Sequence, residues 1–219
     1  MVNVFRKTML VTAFLITVFI FLAGFYSGFL FDSYRIEDAG GVIEDTTLDT
    51  TSFVVERDFF STFGIQDCDI LNQRMQILGD RLGEIGRTLA RYDAKKSSHQ
   101  VLYDQLRRKY FLLEIGAYTL RKEMSNSCPE NDSNVFLFFY NAENDQDSLN
   151  QGYVLDNIVK REKNTIIFSF DKDFNDTAVV SLINYYGIAK TPTLILNFDK
   201  KIEGYIPEEF LVQYLKKKA

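Results

Sequence analysis

The chain has 219 residues, a formal net charge of −5 and an isoelectric point near 5.0. This acidic balance argues against a general nucleic-acid-binding role, so no nucleic-acid partner is expected. Two cysteines and one histidine cannot supply the four protein ligands of a usual zinc site. We therefore expect neither a bound metal nor a cofactor.

The N-terminal region contains a long apolar segment without charge. No charged residue lies between Lys7 and Asp32, and residues 8–31 would form a helix of about 36 Å, longer than a bilayer core of roughly 30 Å. A cleaved signal peptide is the alternative, but bulky phenylalanines between residues 21 and 29 occupy the places where small residues would mark a cleavage site. The segment predicts a single-pass transmembrane helix embedded in a lipid bilayer.

The charges around this segment predict its orientation. Arg6 and Lys7 precede it and acidic residues follow it, so the positive-inside rule places residues 1–7 in the cytoplasm. Everything after the helix would then be extracytoplasmic, at the cell membrane. Residues 32–57 are acidic and threonine-rich and include a glycine pair, which predicts an irregular linker with a short strand near Phe53.

Two heptad patterns predict an antiparallel helical hairpin over residues 58–130. One fixed register would pair Leu71 with Met124 at one end and Tyr92 with Tyr103 at the other. The first apolar seam comprises Leu71, Met75, Leu78, Leu82, Ile85, Leu89 and Tyr92, and the second Tyr103, Leu106, Tyr110, Leu113, Ala117, Leu120 and Met124. Ser97 and Gln100 have the spacing of a capping box, which would start the second helix.

The two cysteines would meet at the open end of this hairpin. The register places Cys68 and Cys128 one layer beyond Leu71 and Met124. Because disulfides persist outside the cytoplasm, we predict a structural disulfide between them. A redox pair is the alternative, but the neighbouring acids Asp67 and Asp69 disfavour a reactive thiolate at Cys68.

A second apolar surface lies off the seam of the second helix. It comprises Phe111, Leu112, Ile115 and Tyr118, and a single helix partner cannot cover both this surface and the seam. We expect it to dock against the C-terminal domain or against another protein. The chain could also form a homodimer. Burial against the C-terminal domain would favour a binding site elsewhere in the chain, whereas exposure would make the hairpin itself an interaction surface.

The C-terminal region alternates buried-strand and helix patterns. The runs 134–140 and 165–171 are continuous and apolar, as in strands covered on both faces. Ser148 and Gln151 have capping-box spacing for a first helix. Either Asp176 or Thr177 would cap a second helix, which Gly187 would end. Two adjacent strands follow at residues 193–199 and 201–206, with a tight turn near residues 199 and 200. The last element is a helix that begins at Pro207.

This element order and the string "YGIAKTPTLIL" resemble the thioredoxin-like superfamily over residues 134–219. The resemblance implies an α/β fold in which the Thr191–Pro192 bond is cis. In the family, the residue before this proline pairs through its backbone with an extended segment of the partner. By analogy, Thr191 and Pro192 would form a peptide-binding site.

The cysteine pair of the family's redox members is absent. Aligning Ala142 and Glu143 with the family's pattern puts Asp145 and Ser148 where the two cysteines would stand, and neither can form a disulfide. The resemblance therefore implies no catalytic residue here and a redox-inactive module that binds a protein or peptide at the membrane surface.

Two alternatives for function remain open. The chain could be a structural stalk or dimerisation subunit of an envelope complex, acting through its hairpin. It could also be a thiol-disulfide oxidoreductase that uses Cys68 and Cys128. Asn131 and Asn175 begin glycosylation sequons that would lie on the extracytoplasmic side.

Overall fold

The computed structural model describes residues 2–64, 67–91, 100–128, 133–143 and 145–218. Of residues 2–8, 31–50, 61, 217 and 218 it describes the backbone only. The chain divides into two compact units, residues 1–45 and 46–219. Helix α1, Val2–Phe63, contributes to both.

Helix α1 contains an apolar stretch, Met9–Leu30, that is long and apolar enough to cross a membrane. The same helix continues through residues 32–57, so the prediction of an irregular linker with a short strand is wrong. The first proline of the chain is Pro129, so no missing amide donor interrupts the helical hydrogen bonds here. The glycine pair alone costs only about 1 kcal/mol per residue, which lowers helix stability without ending the helix.

The end of α1 packs on the helical hairpin. Phe53 is buried, and a Cβ added to Gly116 would lie 3.1 Å from its ring. A side chain at residue 116 would therefore require the Phe53 ring to shift by a few tenths of an ångström. The guanidinium of Arg74 covers the ring of Phe53 at 5.4 Å. This contact joins α1 to both hairpin helices within the larger unit.

The hairpin comprises α2, Cys68–Arg91, and α3, Gln100–Ser127. Both predicted seams are buried or half-buried wherever the structure describes them; Tyr92 and the predicted cap Ser97 lie outside the described residues. A disulfide joins Cys68 to Cys128, with the Cα atoms 5.8 Å apart, at the open end of the hairpin.

A four-stranded mixed sheet follows, with the order β2-β1-β3-β4. Strand β1 pairs in parallel with β2 and antiparallel with β3, which pairs antiparallel with β4. The first two strands have the predicted bounds. The strands are β1, Asn134–Tyr140; β2, Thr165–Asp171; β3, Thr193–Leu196; and β4, Lys200–Glu203.

The final hairpin turns earlier than the sequence predicted. Asn197 and Phe198 have φ angles of 50° and 69°, and the Asp199 amide donates to the Leu196 carbonyl at 3.2 Å. Asparagine tolerates this left-handed conformation well, which explains a turn at 197. Phe198 adopts the same conformation, and its ring centroid lies 5.0 Å from that of Tyr118.

Helices cover both faces of the sheet. Helices α4, Gln146–Arg161, and α6, Glu208–Lys218, pack on the face of β1 that carries Phe136 and Phe138. Helix α5, Thr177–Tyr186, and the hairpin helix α3 lie on the opposite face. Alternating side chains of the central strands β1 and β3 therefore enter two separate cores.

The off-seam surface of α3 forms part of that second core. Phe111, only 2% exposed, contacts Phe170 and Phe174 with ring centroids 5.6 and 4.8 Å apart. Tyr118 contacts Phe168 and hydrogen-bonds Tyr186. Leu112 and Ile115 are half-buried. Of the two expectations for this surface, the structure favours docking against the C-terminal domain.

Candidate functional site

The peptide bond between Thr191 and Pro192 is cis and lies between α5 and β3. Helix α5 ends at Gly187, whose φ of 58° suits glycine and lets the chain turn back toward the sheet. The carbonyl of Pro192 accepts from the amide of Gly204 at 2.7 Å, which ties this segment to the end of β4. Among the described residues, none hydrogen-bonds to the backbone amide or carbonyl of Thr191.

Asp145 faces this segment from the start of α4. It caps the helix by accepting from the amide of Ser148 at 3.0 Å and from its hydroxyl at 2.6 Å. The hydroxyl of Thr191 also donates to Asp145, at 2.6 Å. Desolvation would raise the pKa of Asp145, but the hydrogen bonds from Ser148 and Thr191 prevail and lower it. The carboxylate is therefore ionised at neutral pH.

Ser148 is not the helix cap that the sequence suggested. The helix begins at Gln146, so Ser148 lies in its first turn, buried, and its hydroxyl oxygen accepts from the amide of Asn141 at 3.2 Å. Asp145 is the N-cap instead, because its carboxylate accepts hydrogen bonds from both the amide and the hydroxyl of Ser148. Asp145 and Ser148 thus hydrogen-bond each other beside the cis-proline segment.

This arrangement contains no sulfur. Both cysteines of the chain are joined in the hairpin disulfide, and Cys128 is buried. The groups presented near Pro192 are the backbone amide and carbonyl of Thr191 and an ionised carboxylate. They can form hydrogen bonds and ion pairs, and they cannot carry out thiol-disulfide exchange.

A buried polar cluster adjoins this end of the sheet. Glu114 of α3, 3% exposed, accepts from the amide of Ser169 at 3.3 Å. Burial raises its pKa to about 8, although hydrogen bonds from Ser169 and Tyr110 oppose that rise. No sequence pattern predicted this cluster, and the available signal was a single acid inside the apolar run around residues 111–118.

The remaining members of this cluster join α3 to the ends of β1 and β2. Arg107 forms an ion pair with Asp171, the last residue of β2. Burial raises the pKa of Tyr140 to about 12. The half-exposed Arg107 and the buried Asp171 hold the start of α3 against the sheet edge.

The structure separates the other predicted sites from this region. Asn175 is exposed in the turn before α5, while Asn131 lies outside the described residues. Phe111 and Tyr118 lie in the core beneath the sheet, and the disulfide lies at the open end of the hairpin.

Neither a protein-family model nor a curated protein matches this sequence. Solved structures similar to the chain include a malarial protein, 22% identical with a TM-score of 0.34 over 39% of this chain and 97% of its own. Chloroplastic thioredoxin z is 14% identical, with a TM-score of 0.35 over 44% of this chain and 87% of its own. Deadhead, a germline-specific thioredoxin from Drosophila melanogaster, is 15% identical, with a TM-score of 0.36 over 48% of this chain and 94% of its own. Scores this low support no conclusion about function.

Proposed function

We propose that this chain is a membrane-anchored binding protein. Its C-terminal α/β domain, residues 134–219, is thioredoxin-like and redox-inactive, and it holds an extended segment of a protein partner. The observation that carries the proposal is the backbone of Thr191, which is unpaired among the described residues and lies beside a cis proline.

The chemistry of the proposed contact is strand addition. An extended peptide lying along residues 190–192 would accept from the amide of Thr191 and donate to its carbonyl. Main-chain hydrogen bonds of this kind need no thiol on either partner. Asp145 fixes the Thr191 side chain through a 2.6 Å hydrogen bond, so the edge is ordered before the partner arrives.

The anchor in this proposal is the apolar stretch Met9–Leu30. All of its side chains are exposed in the isolated chain, which suits contact with lipid. Arg6 and Lys7 would keep the N-terminus in the cytoplasm, and the C-terminal domain would face the extracytoplasmic side of the cell membrane.

A structural stalk is the second candidate. Phe59 and Phe63 are exposed near the end of α1, with ring centroids 4.6 Å apart, and Ile77 is exposed on α2. These side chains offer apolar contacts on the helical part of the molecule. They favour a role in spacing or dimerising envelope components through the hairpin.

Site-specific crosslinking in native membranes separates these candidates. A photoreactive phenylalanine analogue at Ala189, which is exposed, probes the Thr191 edge and leaves the Thr191–Asp145 hydrogen bond intact. The same probe at Ile77 reports on the hairpin, and at Val180, exposed on α5, it serves as the matched control.

The proposal predicts a discrete protein adduct from Ala189 and none from Val180. Adducts from Ile77 together with a blank at Ala189 would instead support the stalk. The oxidoreductase alternative has its own test: after mild reduction, ready alkylation of Cys68 and Cys128 in the folded protein would support it.

A further inference from the structure

A glycine stands in the middle of α4 although no contact within the described residues requires it there. A Cβ added to Gly152 would meet no atom within 4 Å. Glycine in a helix interior costs about 1 kcal/mol relative to alanine, and no close approach to another part of the described chain offsets that cost. The absence of a side chain at Gly152 leaves open space on the surface of α4.

That space belongs to a groove of about 690 Å³ between α4 and the end of the sheet. Its apolar lining includes Leu149 and Tyr153, which remain 52% and 61% exposed, and the rings of Phe138 and Tyr140. A groove of this size can enclose one or two side chains. Exposed apolar walls around open space are the features of a surface that a ligand covers.

The charge of the groove restricts what can enter it. Its charged lining residues are Asp145 and Asp156, and no lysine or arginine lines it. Asp156 is exposed and forms no ion pair within the described part of the chain. An apolar group that carries or adjoins a positive charge would therefore be complementary, whereas an acidic one would be repelled.

The groove adjoins the proposed binding edge at Asp145. Asp145 lines it and also hydrogen-bonds the side chain of Thr191. In an extended segment, side chains on one face recur about every 7 Å, so a peptide paired with Thr191 can place a neighbouring side chain in the groove.

We propose that the groove at Gly152 binds an apolar side chain of the partner's extended segment, next to a lysine or arginine that pairs with Asp156. This inference rests on the proposed function and adds the sequence preference of the bound segment: apolar next to basic. A second copy of this chain is a poorer occupant, because its net charge of −5 repels an acidic groove.

The test uses the full chain in lipid nanodiscs and a synthetic library of random nine-residue peptides. The protein should enrich peptides in which an apolar residue adjoins lysine or arginine. Gly152→Leu fills the groove and should lower the affinity for the recovered peptides at least tenfold. The matched control is Gly79→Leu, because Gly79 is also helical with no atom within 4 Å of an added Cβ, and it should leave the affinity unchanged.

Charge is tested separately with Asp156→Asn, which should reduce the preference for basic over neutral peptides about threefold to tenfold. Thermal unfolding of each variant checks folding, and Gly152→Leu should be at least as stable as the wild type. This inference would be overturned if the recovered peptides showed no preference for an apolar residue next to a basic one. It would also be overturned if Gly152→Leu bound them as well as the wild type does. Either result would leave the proposed function standing. Recovery of no peptide, with no adduct from Ala189, would overturn both.

Discussion

Replacing Glu114 with glutamine should remove most of a pH dependence that this buried acid imposes on folding. The side chain is 3% exposed, and both of its oxygens accept from the amide of Ser169 at 3.3–3.4 Å. Tyr110 from its own helix hydrogen-bonds it, and Tyr140 from β1 lies nearby. Glutamine has the same shape and retains an oxygen that can accept from Ser169.

The sign and size of the effect follow from the raised pKa. In the unfolded chain the carboxyl titrates near 4.5, and burial raises its pKa to about 8 in the folded protein. The folded state therefore binds the proton more tightly, and stability falls as pH rises between these two values. At about 1.4 kcal/mol per pKa unit, the loss reaches at most about 5 kcal/mol above pH 8 and vanishes below pH 4.5.

Urea unfolding of the full chain in detergent at pH 5, 6, 7 and 8 measures this difference. The chain has twelve tyrosines and no tryptophan, so near-ultraviolet circular dichroism is the suitable signal. Glu114→Gln and the wild type should be similar at pH 5, and the variant should become progressively more stable by pH 8. Parallel stability curves over this range would refute the inference that a buried, protonated Glu114 supports the sheet edge.

Three further substitutions test the packing, the disulfide and the helix cap. Phe111→Ala should lower the free energy of unfolding by about 3–5 kcal/mol, because it removes a buried ring. The control Tyr185→Ala, at a side chain that is 79% exposed, should change this free energy by less than about 0.5 kcal/mol. Similar losses for the two variants would contradict the docking of α3 on the sheet. Replacing Cys68 and Cys128 together by serine opens a 60-residue loop and should lower the free energy of unfolding by about 4 kcal/mol. An unchanged free energy relative to the oxidised wild type would contradict a structural disulfide. Asp145→Ala should cost about 1–2 kcal/mol and Asp145→Asn clearly less, because asparagine keeps a capping oxygen; equal losses would count against the cap.

The sequence was most informative where a local pattern determines structure. Strands β1 and β2 have the predicted bounds because each is a short apolar run enclosed by polar residues. Gly187 likewise predicted the end of α5 correctly. Helix α1 was predicted less well, since threonines and glycines only weaken a helix and their effect on residues 32–57 depends on the surrounding chain.

The candidate site was only partly predictable, because its contacts join residues far apart in sequence. Resemblance assigned Asp145 to a cysteine position and Pro192 to the cis-proline position, but no local pattern indicates that Thr191 donates to Asp145 across 46 positions. The groove at Gly152 could not be inferred either, because a helical glycine has the same appearance in a sequence whether space or close packing surrounds it. Likewise, the burial of Glu114 depends on how α3 docks on the sheet.

Amide hydrogen exchange at Thr191 tests the central claim most directly. With a partner segment recovered by crosslinking at Ala189, the exchange of the Thr191 amide is measured in the free and the bound full chain. If an extended segment pairs with this edge, the amide should exchange at least tenfold more slowly in the complex, while exposed amides of α5 should not change. Unaltered exchange at Thr191 in a saturated complex would contradict the account.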